Sequence, residues 1–78
     1  HSFYINDKKQ VFSWGLNNRG QLGIGNLLNA TLPTRITGLD PWEGDYVVEI
    51  AGAQHHSIAR TKDGVVYCWG CNDEGQVG

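Results

Sequence analysis

One internal repeat constrains what this chain can fold into more than any other feature. Residues 11–23, VFSWGLNNRGQLG, are matched 55 positions later by residues 66–78, VYCWGCNDEGQVG. Seven of the thirteen positions are identical: Val11/Val66, Trp14/Trp69, Gly15/Gly70, Asn17/Asn72, Gly20/Gly75, Gln21/Gln76 and Gly23/Gly78. The match continues upstream without a gap, because His1-Ser2 stands 55 positions before His56-Ser57. The 78 residues therefore divide into one full period, 1–55, and the first 23 residues of the next, 56–78. Repeats of this length are propeller blades or solenoid units that bury a face on their neighbours, and about three copies are needed for stability. Fewer than one and a half copies make no complete independent domain. The expectation is that function belongs to a larger protein.

Short β-strands alternate with turn signals along the period. Ser57–Thr61 and Val65–Trp69 flank Lys62-Asp63-Gly64, and Asp-Gly is a strong hairpin signal. The first copy has the same two runs, Ser2–Ile5 and Val11–Trp14, around a connection without glycine. That hairpin is expected to be looser, or to place Asn6 or Asp7 in the left-handed turn position. Tyr46–Ala51 reads as a third strand, with Val48 and Ile50 on one face and Val47, Glu49 and Ala51 on the other. Thr34–Thr37 reads as an edge strand whose start is marked by Pro33. No helical periodicity runs long enough for a helix. Four short strands in a period of this length is the arithmetic of a β-propeller blade. The predicted class is all-β, about one and a half blades, with segments 46–51, 56–61 and 65–69 running from inner to outer strand. Strands left unpaired at the two ends are expected to meet neighbouring blades of the same chain or other copies.

Composition narrows the function classes. Six basic residues against eight acidic ones give a net charge of −2, so no basic surplus points to direct phosphate-backbone binding. Apolar runs are only a few residues long, so no membrane partner is expected. Two cysteines cannot build a disulfide framework and no charged-apolar-small leader opens the chain, so an intracellular origin is expected.

The repeat also carries a resemblance. Gly52, His56-Ser57, Ala59, Asp63-Gly64, Val66-Tyr67, Trp69-Gly70, Asn72 and Gly75-Gln76-Val77-Gly78 together resemble the regulator-of-chromosome-condensation repeat. The first copy repeats the pattern at His1-Ser2, Trp14-Gly15, Asn17 and Gly20-Gln21-Leu22-Gly23. The resemblance implies a seven-bladed propeller. Its founding member is a nuclear exchange factor that binds chromatin and ejects nucleotide from the small GTPase Ran. By that resemblance the expected partner is a Ran-type GTPase, with nuclear location. Related propellers in ubiquitin ligases, cilium proteins and mitochondrial proteins imply the other reading, a non-catalytic scaffold with cytoplasmic or mitochondrial location.

Each candidate site competes with a packing role. Gln54 and His55 sit where two strands turn, and the resemblance implies that this turn meets the GTPase. His1 and His56 share one repeat position and are expected to satisfy buried backbone groups in the neighbouring loop. Trp14 and Trp69 end strands before Gly15 and Gly70 and read as packing between blades rather than as base-stacking platforms. Trp42 has no counterpart in the repeat; it either caps the blade or lies exposed at a partner surface. Cys68-Trp69-Gly70-Cys71 is a C-x-x-C, but the first copy has Ser13 and Leu16 at those positions, so no metal is expected. Gly20, Gly23 and Gly25 lack phosphate-loop spacing and read as turn formers, as do Gly75 and Gly78. Asn29-Ala30-Thr31 fits a glycosylation sequon without a secretory signal to support its use. No cofactor and no covalent or hydrolytic chemistry is expected from these residues.

Overall fold

The computed structural model describes residues 1–17, 21–25, 30–53 and 56–70. Among these residues six strands form: β1 (Ser2–Ile5), β2 (Val11–Gly15), β3 (Ala30–Arg35), β4 (Val47–Gly52), β5 (His56–Thr61) and β6 (Val66–Gly70). They make two antiparallel three-stranded sheets, ordered β1-β2-β3 and β4-β5-β6. One turn of 3-10 helix, Thr37–Leu39, is the only helical element among the described residues. The class is all-β, about one and a half blades of a propeller-like repeat.

The two copies of the repeat build the same hairpin. Ser2 pairs with Trp14, Phe3 with Ser13, Tyr4 with Phe12 and Ile5 with Val11. Adding 55 to every number gives the register of β5 and β6, from Ser57↔Trp69 to Arg60↔Val66. The connecting turns also match. Asn6 N–H donates to Gln10 O at 3.0 Å and Lys9 N–H to Asn6 O at 3.0 Å; Thr61 N–H donates to Val65 O at 2.9 Å and Gly64 N–H to Thr61 O at 3.0 Å. Asn6 Oδ1 takes Gln10 N–H at 2.8 Å, where Thr61 Oγ1 takes Val65 N–H at 3.1 Å.

The first turn is therefore not looser, and neither Asn6 nor Asp7 is left-handed. Lys9, at the position of Gly64, takes that conformation with φ of 66° against 93° for the glycine. The Asn6 carboxamide bonds Lys8 N–H as well as Gln10 N–H, which holds a lysine where the backbone favours glycine. Lys9→Gly is expected to stabilise the intact protein by about 1 kcal/mol, since a non-glycine residue in this region costs that much or more. A urea unfolding curve checks it, and a lowered midpoint would show that the lysine is not strained.

Two strands depart from their expected form. A β-bulge lies between Val47 and Glu49, because Val47 pairs with Thr61 while Glu49 pairs with Arg60. The extra residue resets the alternation. Val47 is buried and Ile50 packs against the same core, whereas Val48 is exposed. The expected split, Val48 with Ile50 and Val47 opposite, is thus wrong. β3 starts at Ala30 and contains Pro33 instead of following it, and Thr37 belongs to the 3-10 turn. Between the pairs Ser13↔Thr34 and Gly15↔Ala30, residues Thr31, Leu32 and Pro33 stand opposite Trp14 alone. Proline is tolerated there because an irregular edge asks for no ladder donor.

The core lies between the sheets, not within either. Val11 from β2, Ile36 and Leu39 from the crossover, Val47 from β4 and Ala59 from β5 form one buried cluster, with Phe3, Ile5, Ile24, Ile50 and Trp69 packed against it. Each sheet buries its apolar face only by meeting the next, as expected for stacked repeats.

Candidate functional site

The polar residues of the repeat converge on the joint between the two sheets. After β2 the chain returns through residues 21–25, of which Gln21 and Leu22 are buried and Gly25 is exposed. Ser13 Oγ donates to Leu22 O at 2.7 Å, and Leu22 N–H donates to Asn17 Oδ1 at 3.0 Å. These bonds hold the Gln21 carbonyl against the neighbouring sheet. There it accepts from Ser57 Oγ at 2.7 Å and from Trp69 Nε1 at 2.9 Å. Ser13, Asn17, Gln21, Leu22 and Ser57 are all fully buried. Inside a protein such bonds are worth making because an unpaired buried carbonyl or hydroxyl is costly.

His1 closes the arrangement. Its Nε2 lies 2.9 Å from Ser57 Oγ. The serine has one proton, and that proton goes to the Gln21 carbonyl, so His1 Nε2 carries the hydrogen and donates it. The imidazole lies over Gly52, where any Cβ would collide with the ring. His1 thus bonds a hydroxyl of the next repeat; the backbone group expected as its partner belongs to Ser57's bond instead. His56 is half-buried at the start of β5 and pairs with Gly70, whose φ is 107°. Gly15 takes φ of 114° at the matching place, and a Cβ there would come within 3.0 Å of His1 Cα.

Trp69 packs between the sheets. Its ring meets Phe3 edge-on at 6.3 Å and lies over Gly23, whose Cβ, if present, would stand 2.7 Å from Trp69 Nε1. Trp14 is half-buried opposite Ser2. Cys68 is a free, exposed thiol. Among the described residues no group of three His, Cys, Asp or Glu side chains could hold a metal. Gln54, His55, Gly20, Asn29, Cys71, Gly75 and Gly78 lie outside the described residues.

Comparison with known proteins decides the family. A profile of the Regulator of chromosome condensation (RCC1) repeat matches residues 9–60, and a second profile of the same repeat matches residues 47–76. The chain belongs to the RCC1 repeat family. Over its whole length it is similar to Protein pim1 of Schizosaccharomyces pombe, at 40% identity, covering 15% of that protein. It is 35% identical to the probable E3 ubiquitin-protein ligase HERC6 of Homo sapiens, covering 7% of it, and 34% identical to Protein RCC1 of Candida albicans, covering 18%. The chain thus spans less than a fifth of each relative.

In this RCC1-repeat chain the two ends of the sheets differ in character. One end carries the 21–25 loop and the turn from β4 to β5, whose flanking residues Ala53 and His56 are joined by an N–H···O bond of 2.8 Å. The other end carries both hairpin turns, 6–10 and 61–65, and the crossover from β3 to β4. Sequence reasoning names the histidines and tryptophans of the joint but does not single out Ser57 and Gln21. A signal for both exists, since Ser2/Ser57 and Gln21/Gln76 are identical across the repeat.

Proposed function

We propose that the intact propeller to which these repeats belong is a guanine-nucleotide exchange factor for a Ran-type small GTPase, acting at chromatin in the nucleus, with Gln54 and His55 on the surface that meets the GTPase. The observation that carries this reading is the doubled repeat, built twice in one register, together with the whole-chain similarity to Protein RCC1 and Protein pim1. A closed propeller of such repeats would present a ring of turns to the GTPase, and no bond-making chemistry is needed. A propeller that binds the nucleotide-free GTPase more tightly than the loaded one lowers nucleotide affinity by the same factor, and nucleotide leaves faster.

Release of fluorescent GDP from Ran, with and without the intact protein, tests the reading. Faster release is expected, and unchanged release would refute it. His55→Ala is expected to lower the exchange rate roughly five- to tenfold, the cost of truncating a moderate contact residue. An unchanged rate in that variant would remove the site assignment and leave the activity standing.

A second reading is favoured by the similarity to the probable ubiquitin ligase HERC6: a propeller that only presents surfaces to other proteins. A catalytic domain attached to the same polypeptide would support it, whereas a lone propeller with a basic tail supports exchange.

A further inference from the structure

Trp42, the tryptophan outside the repeat, stands on a built support. Trp42 N–H donates to Asp45 O at 3.0 Å and Asp45 N–H to Trp42 O at 2.9 Å. Between them Glu43 and Gly44 have φ of 50° and 83°, the signature of a tight two-residue hairpin turn. Asp45 fastens this turn to the β5–β6 hairpin, since its Oδ1 accepts Tyr46 N–H and Asp63 N–H, each at 3.0 Å. Lys62 N–H adds a bond to Tyr46 O at 2.9 Å. The result is a tryptophan held 76% exposed on a fixed turn. A scattered apolar surface residue needs no explanation, but a braced aromatic beside a cavity does.

That cavity opens between the Trp42 turn and the β5–β6 hairpin and holds about 170 Å³. Trp42, Tyr46 and Tyr67 line it with aromatic surface, Leu39 adds an apolar wall, and Asp40 and Asp45 contribute carboxylates. Asp40 Oδ2 lies 3.5 Å from Arg35 Nε, while Asp40 Oδ1 is shielded from solvent and has no hydrogen-bond partner among the described residues. Asp45 stays ionised: partial desolvation pushes its pKa up, but hydrogen bonds from Thr61, Asp63 and Tyr46 and the charge of Lys62 together bring it below the ordinary value. The Tyr46 ring already draws two ammonium groups of the chain itself, Lys9 Nζ at 5.2 Å and Lys62 Nζ at 5.7 Å from its centre.

We propose that this cavity binds an alkylammonium group presented by a partner protein, the head of a lysine side chain or of its methylated forms. Aromatic faces attract cations through their negative quadrupole, most strongly when the cation is weakly hydrated, as a methylated ammonium is. Asp40 and Asp45 bring carboxylate charge to the lining, opposite in sign to an ammonium. An anion would meet like charge there, and a neutral apolar group would gain nothing from the carboxylates. The volume is close to that of a cavity of about 150 Å³ that holds benzene, which suits a trimethylammonium head with its adjoining methylenes. The site lies at the opposite end of the sheets from the β4–β5 turn, so it stands or falls independently of the exchange reading.

The test uses the intact protein, titrated with a short peptide carrying one trimethyllysine while tryptophan fluorescence and heat are recorded. A control peptide carries the neutral isostere with carbon in place of the quaternary nitrogen. Saturable binding of the charged peptide is expected, with the isostere roughly tenfold weaker. Trp42→Ala and Asp40→Asn are each expected to weaken binding about fivefold or more while leaving the melting temperature within a few degrees. Isostere binding as tight as the charged peptide would overturn the cation assignment, as would absence of saturable binding. Free choline binding as tightly as the peptide would overturn the partner-protein source.

Discussion

Gly23→Ala is expected to destabilise the intact protein by about 3 kcal/mol, among the larger effects of a single methyl group. Two costs combine. Gly23 has φ of 72°, a region that L-residues enter at about 1 kcal/mol or more. The new Cβ would also stand 2.7 Å from Trp69 Nε1 and 3.2 Å from Trp69 Cδ1 and Cε2. The ring has little freedom to retreat. It donates to Gln21 O at 2.9 Å and meets the edge of Phe3. Moving it breaks that bond and opens the joint, which adds about 2 kcal/mol. Gly25→Ala separates the two costs, because Gly25 has φ of 88° but a Cβ there would meet nothing within 4 Å. That control should lose only about 1 kcal/mol. Guanidinium unfolding followed by tryptophan fluorescence reads both variants, and equal losses would show that the ring contact is unimportant.

Ser57→Ala should cost about 2 kcal/mol. The hydroxyl is fully buried, gives its proton to Gln21 O at 2.7 Å and receives one from His1 Nε2 at 2.9 Å. Alanine leaves the half-buried imidazole N–H facing a methyl group and removes one of the two donors to the Gln21 carbonyl, and a polar group left short of a partner costs more than a bond contributes. His1→Ala alone should cost about 1 kcal/mol, and the double variant should lose less than the sum of the single losses by about 1 kcal/mol. Additive losses in that cycle would show that the two side chains act separately.

Strand existence is legible in the sequence because the repeat supplies an internal control. A run such as Val66–Gly70 is ambiguous alone, but Val11–Gly15 shows the same alternation in a different sequence. Three features escape such reasoning. The bulge at Val47 and Glu49 follows from how β4 docks on β5 and Thr61, a long-range demand with no local signature. Lys9 in the left-handed region is permitted by the Asn6 carboxamide, and propensity alone points to Asn6 or Asp7 instead. Pro33 reads as the start of β3, although an irregular edge lets it sit inside. At the joint, His1, Trp69 and Gly23 stand out as unusual residues, whereas Ser57 and the carbonyl of Gln21 do not. A backbone carbonyl has no residue code, so its role appears only when the neighbouring sheet is in place.

The joint has a consequence for how such a gene can grow. His1 and Gln21 belong to one period and Ser57 and Trp69 to the next, so no single period contains its own fastening. Duplicating any stretch of one period's length, wherever the breakpoints fall, still places a serine and a tryptophan opposite each new glutamine carbonyl. Unequal crossing-over can then add or remove units without disturbing the contacts between those that remain. A substitution at His1, by the same reasoning, is felt across the boundary in the unit that follows it.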